Sequence, residues 1–477
     1  MIGFLMMPFL VSHLGDRWYG IWTAVGSLAA GYYLLDLGLS TAVTRFVTES
    51  LSRGETSRAS AIVSTAFAIY SVLGFAVLAL TGIAAFFAAH FVSEAADVAT
   101  VKKLIIYSGA SLAIGFPFKA FAGLIQARLR YDLLAFWHIG LTLFLALLTV
   151  VLIKAGLGVL GLAYVAVAGT LLSDVIFALL SRRLSPDVQV SWRAVDFSIV
   201  RELFGFSSWA FLIHLAEQFR TRIDSLVVGA LQSASAVTHY AVGARLAETA
   251  INFLYSSLSV IQPVLTRYHA LDEKEKMRAA LLLFTRINAV IGFFVLGMLL
   301  ILGDPFIQRW MGPEYTSSPD VLYVIAIALS AAFLVYPMDN SLYAVRKHRM
   351  LAFINIGDAV VNVALSLVLG RHMGSIGVAL GTMIPMVISR FAIVVPYACR
   401  QTGIPLREYY GVLARVLLIA CLVLGPTAML APYFPGEPSY ESFAAITIAA
   451  AIVYVPAMFL FAFPRGERAQ LQAIWGR

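Results

Sequence analysis

The feature that most constrains this sequence is a succession of apolar stretches, each about 20 residues long, separated by short polar segments. A helix of about 20 apolar residues spans the hydrocarbon core of a bilayer. Charged residues make up only 13% of the chain, whereas they make up roughly 25% of a typical soluble protein. Because so little charge excludes a soluble globular fold, the sequence predicts an all-α polytopic membrane protein.

Windows of about 20 apolar residues predict about fourteen transmembrane helices. The predicted spans are 1–13, 18–44, 61–90, 104–125, 133–153, 158–181, 204–231, 235–264, 280–302, 321–344, 351–370, 374–397, 411–431 and 443–463. The first span is too short to cross a bilayer and has no basic n-region or cleavage site of a signal peptide. We therefore expect it to be a truncated helix, or the result of a misplaced start codon.

The loops between these spans alternate in charge. Alternate segments, starting with TRFVTESLSRGETSR and ending with the C-terminal tail, contain 22 lysines and arginines, whereas the segments between them contain six. Membrane insertion leaves such an excess of basic residues on the cytoplasmic side. The sequence therefore predicts that both termini are cytoplasmic. The net charge of +8 has the same origin, so we expect no nucleic-acid partner.

Two halves of the sequence resemble each other at an offset of about 217–222 residues. LLAFWHIG at 133–140 matches MLAFINIG at 350–357, and GVLGLA at 158–163 matches GSIGVA at 374–379. Each half contains an even number of helices, so both halves enter the membrane from the same side. A parallel repeat of this kind is typical of transporters that work by alternating access.

The repeat predicts two pseudo-symmetric six-helix bundles and two additional C-terminal helices. The N-lobe covers 1–184, a cytoplasmic linker covers 185–203, and the C-lobe covers 204–400. Residues 401–477 then contain the last two helices and a cytoplasmic tail.

The predicted helix Phe204–Gly229 has four charged residues in its middle. Each ionised side chain near the bilayer centre costs roughly 2.5–3.5 kcal/mol on insertion scales. Glu217, Arg220 and Asp224 share one helix face, so Arg220 either pairs with one of these acids or binds an anionic substrate. Arg222 lies on another face and is the stronger candidate for a substrate contact.

Other charges within or beside the spans also have two interpretations each. Arg245 and Glu248, one turn apart, form either a local salt bridge or part of a cavity. Asp36 is either a proton or cation site or the cap of a helix that breaks near Gly38. Arg45 and Arg267, at matching cytoplasmic helix ends, either snorkel to the interface or contact a headgroup. Four further charges lie within predicted spans without an assignable partner: Asp174, Asp339, Asp358 and Arg390.

The sequence contains no motif for a metal site or for phosphate-loop catalysis. Cys399 and Cys421 have neither a zinc-binding nor a disulfide spacing. We therefore expect no metal, no cofactor and no enzymatic activity.

Several segments together resemble a known family. LVSHLGDRWYGIW, LLDLGLSTAVTRFVTE, EQFRTRIDSLVVG followed by VTHYAVGARL, and FIQRWMGPEY resemble the oligosaccharide flippases of polysaccharide biosynthesis. These flippases belong to the multidrug/oligosaccharidyl-lipid/polysaccharide exporter superfamily. The resemblance covers most of residues 1–400 and implies two six-helix bundles around a central cavity, often with two additional helices.

The resemblance also implies a function. Such proteins move undecaprenyl-diphosphate oligosaccharides from the cytoplasmic to the periplasmic leaflet of the bacterial cytoplasmic (inner) membrane, for O-antigen, capsule or exopolysaccharide assembly. The expected partners are the lipid-linked oligosaccharide, membrane lipids and other polysaccharide-assembly proteins. The candidate contacts to its anionic headgroup are Arg220, Arg222, Arg245, Arg45 and Arg267. The candidates for ion coupling or intramembrane pairing are Asp36, Glu217, Asp224 and Glu248.

Two alternatives remain. A drug/cation antiporter of the same superfamily would depend on acids with few cavity arginines, and this chain has several arginines in the two leading C-lobe helices. A membrane glycosyltransferase or polymerase would need a sizeable external loop, and the loops here are short.

Overall fold

The computed structural model describes residues 2–36, 39–91, 97–128, 130–204, 223–255, 258, 261–345, 347, 349–430 and 439–468. Throughout these residues the regular secondary structure is helical, without a β-strand. The chain forms two compact units, Met1–Thr238 and His239–Arg477. The all-α fold class predicted from the sequence is confirmed, whereas the lobe boundaries drawn from the repeat stay a prediction.

In the described part of the first unit, seven α-helices precede residue 185. They are α1 (Ile2–Tyr32), α2 (Leu39–Ser52), α3 (Thr56–Phe86), α4 (Val98–Gly115), α5 (Lys119–Ala127), α6 (Tyr131–Leu152) and α7 (Gly158–Leu184). A 3₁₀ turn, Tyr33–Asp36, precedes α2, and shorter helices cover 197–204 and 223–231.

The second unit continues from a helix that starts within the first. Its helices are α8 (Ala234–Tyr255), α9 (Ile261–Ala270), α10 (Lys274–Met311), α11 (Ser318–Ala344), α12 (Arg349–Ile388), α13 (Val395–Thr402), α14 (Leu406–Leu430) and α15 (Tyr440–Phe461). A π-helical turn, Ser389–Val394, joins α12 to α13.

Eight helical stretches in the described chain are long and apolar enough to cross a membrane. Two of them, Asp132–Leu184 and Arg349–Thr402, each exceed 50 residues and contain two predicted spans. Large apolar side chains such as Phe75, Phe136 and Leu422 are exposed on the outer faces of these helices. Such faces suit lipid rather than water, so the chain is a multi-pass membrane protein.

The two longest stretches turn at equivalent glycines. Gly158, which starts α7, has φ 51° and ψ −142°, and Gly374, inside α12, has φ 63° and ψ −140°. A side chain is strained at such angles, and glycine is not. GVLGLA and GSIGVA, which the sequence pairs as repeats, therefore begin with a glycine in the same backbone conformation, although the first connection also contains Gly156 at φ 84°.

Two prolines, one between α4 and α5 and one inside α11, leave a backbone carbonyl without its helical donor, and the fold accommodates each one differently. Pro117 cannot donate to the carbonyl of Ala113, which instead lies against Gly74 of α3, where a side chain would clash. Pro337 in α11 likewise frees the carbonyl of Phe333, and the buried amide of Asn288 donates to it at 3.1 Å.

The predicted linker 185–203 is hydrogen-bonded to α3. Backbone amides of Gln189, Ser191 and Asp196 donate to the hydroxyls of α3 residues Ser60, Ser64 and Thr65 at 3.0–3.1 Å. Asp196 then caps the helix 197–204, and hydrogen bonds from the Ser198 hydroxyl and amide lower the pKa of its carboxyl. Because that pKa is lowered, the cap contributes fully at neutral pH and weakens as the pH falls through it.

Candidate functional site

Asp36 lies at a break in the chain between α1 and α2. Its carboxylate accepts hydrogen bonds from the amide of Ser40 at 3.3 Å and from the hydroxyl of Ser40 at 3.0 Å. These bonds cap the first turn of α2, whose leading amides have no partner within the helix. The hydroxyl of Tyr70 on α3 donates to the same carboxylate at 2.9 Å. The capping geometry that the sequence allowed for Asp36 is thus present.

Lys119 meets Asp36 from a second broken helix. Pro117 ends α4, and Lys119 is the first residue of α5. Its Nζ lies 3.2 Å from Asp36 Oδ1 and 4.3 Å from the centre of the Phe116 ring. A lysine at a helix N-terminus is unfavourable for the helix dipole, and the neighbouring carboxylate and aromatic face offset this. We refer to Asp36, Ser40, Tyr70 and Lys119 as the Asp36 cluster.

Asp174 is a second acid of the first unit, on α7. It is 7% exposed, and its carboxylate oxygens lie 3.5 Å from the position that a Cβ on Gly115 of α4 would occupy. Among the residues that the structure describes, it has no ion-pair partner, and its Oδ2 accepts no hydrogen bond.

The second unit contains a buried cluster of charged and amide groups. Arg390, in the π-helical turn after α12, is 4% exposed in its side chain and lies 3.3 Å from both carboxylate oxygens of Asp339 on α11. Its other terminal nitrogen donates to Asn355 Oδ1 on α12 at 2.8 Å. The Nε of Arg390 is buried and has no hydrogen-bond partner among the described residues, so this buried ion pair is only partly satisfied.

The residue before Arg390 extends this cluster. Ser389 donates its hydroxyl to Asp358 Oδ2 on α12 at 2.6 Å. Ser389 and Arg390 both lie in the π-helical turn Ser389–Val394, and such turns frequently occur at functional sites. We refer to Asp339, Asn355, Asp358, Ser389 and Arg390 as the Arg390 cluster. Within the described part of the chain, no three acidic, histidine or cysteine side chains are arranged to hold a metal ion.

Arg245 and Glu248 lie close together, as their spacing predicts. Arg245 Nη1 is 3.6 Å from Glu248 Oε2, and both side chains are more than a third exposed. Exposed pairs of this kind contribute little to stability, about 0.2–1 kcal/mol. The contact is compatible with either role that the sequence allowed for Arg245.

Arg45 and Arg267 are exposed on α2 and α9. The guanidinium of Arg45 lies 5.5 Å from the centre of the Phe46 ring. Asp224 is 5% exposed in the helix 223–231. Glu217, Arg220 and Arg222 lie outside the described residues, so their roles stay predictions.

Sequence reasoning did not single out Lys119 or Tyr70. Lys119 had a usable signal, since it is a lysine inside the predicted span 104–125. Tyr70 had none, because a tyrosine in an apolar helix is most often a packing residue. Arg390, Asp339, Asp358 and Asp174 were recognised as intramembrane charges, and the structure supplies the pairing of Arg390 with Asp339.

Comparisons with known proteins place this geometry in context. The pattern of a family described as "polysaccharide biosynthesis protein" matches residues 19–320. A curated relative, the uncharacterized membrane protein EpsK of Bacillus subtilis (strain 168), is 22% identical over 411 residues, which cover 83% of this chain and 80% of that protein.

Solved structures show the same fold at low sequence identity. The lipid II flippase MurJ, in an inward closed conformation, superposes with a TM-score of 0.74 at 14% identity and covers 96% of each chain. An inward-facing multidrug resistance transporter of the MATE family and MOP superfamily superposes with a TM-score of 0.62 at 16% identity, over 84% of this chain and 95% of that one.

Proposed function

Because the chain belongs to the polysaccharide biosynthesis protein family, we propose that it is a flippase for an undecaprenyl-diphosphate-linked oligosaccharide. It moves this lipid from the cytoplasmic to the periplasmic leaflet by alternating access, for the assembly of a surface polysaccharide. The observation that carries the proposal is the family match over most of the chain. The likeness to the fold of a lipid II flippase supports it.

Moving a diphosphate across a membrane requires cationic side chains along its path. A diphosphate is costly to move through hydrocarbon, and guanidinium groups offer planar, multi-donor partners for phosphate oxygens. We propose that Arg220, Arg222 and Arg245 neutralise the diphosphate during transfer, and that Arg45 and Arg267 contact it at the cytoplasmic entrance. The half-exposed side chain of Arg245 leaves room for such a contact beside Glu248.

The location and partners follow from the same proposal. The protein lies in the cytoplasmic (inner) membrane of a bacterial-type cell, with both termini in the cytoplasm. The excess of lysine and arginine in alternate loops supports this orientation. Membrane lipids and other polysaccharide-assembly proteins are its expected neighbours.

The second candidate is a drug/cation antiporter. It is favoured by the likeness to the fold of a multidrug transporter and by the acids buried among the spans, Asp36 and Asp174. A cation carrier would lose function when these acids are replaced, and it would tolerate the loss of Arg222 and Arg245.

The test is a complementation assay in the native host. A deletion strain receives the wild-type chain, Arg222→Ala, Arg245→Ala or the control Arg371→Ala, a substitution of another exposed arginine. We expect the deletion strain to accumulate lipid-linked oligosaccharide and to lose surface polysaccharide. The wild type and Arg371→Ala should restore export, whereas Arg222→Ala and Arg245→Ala should not.

Two outcomes would contradict the proposal at different levels. A deletion strain with normal polysaccharide and no accumulated lipid intermediate would refute the flippase function. Normal export by both Arg222→Ala and Arg245→Ala, at wild-type amounts of membrane protein, would refute the assigned substrate contacts.

A further inference from the structure

Asp174 lies in the interior of the first unit, at the contact between α4 and α7. It is ten residues from the end of α7, within a stretch apolar enough to span the membrane. Only 7% of its surface is exposed. A Cβ on Gly115 would lie 2.8 Å from Thr170 Cγ2, which is too close, and 3.5 Å from both carboxylate oxygens, so the backbone of α4 lies directly beside Asp174.

Among the described residues, no cation forms an ion pair with this carboxylate. The elements packed against α7 are α1, α4, α5, α6 and the turn Ile153–Leu157. Their charged or titratable residues with described side chains are His13, Asp16, Arg17, Tyr19, Tyr32, Lys102, Lys103, Tyr107, Lys119, Asp132, His138 and Lys154. Within the described chain, none of them forms a hydrogen bond or ion pair with Asp174. Arg17 pairs with Asp97, and Lys119 pairs with Asp36.

The surroundings do not fit a metal ion either. A hard cation such as Na⁺ or Mg²⁺ requires several oxygen ligands. Thr170 presents a methyl group on the Gly115 side, and its hydroxyl donates to the carbonyl of Ala166 at 3.1 Å. No group of three metal-ligating side chains is found among the described residues. A single carboxylate in such a place fits one ligand, a proton.

An ionised carboxylate in this position would be isolated in a low-dielectric interior, and such groups neutralise instead. We propose that Asp174 is a proton-binding site, which carries a proton in this conformation and releases it when the α4–α7 contact opens to water. The second step rests on the proposed transport function. Protonation then favours the closed contact, because only the neutral acid is tolerated there, and deprotonation favours the open one.

The adjoining break between α4 and α5 gives this contact a means to open. Gly115 is the last residue of α4, and Pro117 prevents a continuous helix into α5. Lys119, two residues further on, is held by Asp36 in this conformation. A rotation at the break would change the environment of Asp174 and the pairing of Lys119 together.

Infrared spectroscopy tests the protonation directly. The full chain in lipid nanodiscs at pH 7 is compared with Asp174→Asn by difference spectroscopy in the region of the protonated carboxyl stretch. We expect a carboxylic acid band in the wild type that Asp174→Asn lacks and that disappears as the pH is raised. Asp132→Asn and His138→Gln, on the neighbouring helix α6, should retain the band.

A flat difference spectrum between the wild type and Asp174→Asn would overturn the proposal. If Asp174→Asn does not fold, Asp174→Glu replaces it, because a glutamic acid band lies at a different frequency. An unshifted band in Asp174→Glu would then overturn the proposal.

The role in the transport cycle has its own readout. In the deletion strain, export should fall to the level of the empty vector with Asp174→Asn and be retained with Asp132→Asn. Export at the wild-type level with Asp174→Asn would refute the release step. If the wild-type chain itself restores no export, the proposed flippase function fails, whereas the infrared result still decides whether Asp174 binds a proton.

Discussion

Asp36 and Lys119 show how two broken helices depend on one ion pair. Both side chains are less than a quarter exposed, and Lys119 Nζ lies 3.2 Å from Asp36 Oδ1. Removing one partner of a buried pair leaves an uncompensated charge, which is more costly than removing both. The pair therefore fixes the position of α2 relative to α5, without necessarily adding net stability.

A double-mutant cycle with Lys119→Met and Asp36→Asn tests whether the two groups depend on each other. Lys119→Met should destabilise the first unit by about 1–3 kcal/mol, less than for a fully buried pair because both side chains retain some exposure. Asp36→Asn with Lys119→Met should be closer to the wild type than Lys119→Met alone. Thermal unfolding of the purified protein in detergent measures the stability of the wild type, both single variants and the double variant. Strictly additive effects would show that the two groups do not interact.

Only some of these residue contacts could be predicted from the sequence. Asp36 is conspicuous because it is an acid within an apolar span. Its partner is 83 residues away, and the contact depends on where Pro117 interrupts α4. Three-dimensional contacts of this kind have no local signal in a single sequence. The spacing of Arg245 and Glu248, by contrast, is local, and their contact was predictable from helix periodicity.

At the scale of elements, the turns at Gly158 and Gly374 should be sensitive to any side chain. Gly158→Ala and Gly374→Ala should each cost about 1–3 kcal/mol, because their φ and ψ values strain an alanine. The repeat supplies matched controls in Gly140 and Gly357, which lie within helices with open space around them. Thermal unfolding should show that alanine at either control position is neutral or slightly stabilising.

An unchanged melting temperature for both turn variants would contradict this account. A lower melting temperature for one variant only would show that the two turns are not equivalent.

The linker gives a second prediction at this scale. Thr65 is fully buried on α3, and its hydroxyl accepts the amide of Asp196 at 3.0 Å. Thr65→Val preserves the shape but leaves that amide without an acceptor, at a cost of about 1–3 kcal/mol. Hydrogen exchange should increase selectively in residues 189–204, with Thr56→Val, at the exposed start of α3, as the control. Equal exchange in both variants would argue against a docked linker.

The boundaries of some elements were predictable, and their interruptions were not. The predicted span 321–344 corresponds to α11 (Ser318–Ala344), and the predicted span 411–431 corresponds to α14 (Leu406–Leu430). Apolar content determines where a chain can cross a bilayer, which explains this agreement. The predicted span 104–125, however, is divided into α4 and α5, because hydropathy does not register the missing amide of Pro117.

At the scale of the whole molecule, the charge of the loops predicts the orientation of every crossing. Single cysteines can test it after Cys399 and Cys421 are replaced by serine. Glu314→Cys, in the turn after α10, should react with a membrane-impermeant maleimide in intact cells. Lys276→Cys, at the start of α10, should react only after permeabilisation.

The reverse pattern would show that the chain is inverted in the membrane. Labelling of both positions in intact cells would contradict a crossing by α10.

Gly158 and Gly374 also bear on how the two halves of the chain arose. After a duplication, side chains on two copies diverge freely wherever lipid or packing accepts several apolar residues. A turn whose backbone angles strain every residue except glycine cannot diverge in this way. Its backbone angles should therefore change more slowly than the residues around it. The nearly identical φ and ψ values of these two glycines therefore agree with the duplication that the sequence repeat indicates. Distant members of this lineage should be recognisable by that turn even where overall identity no longer reveals the relationship.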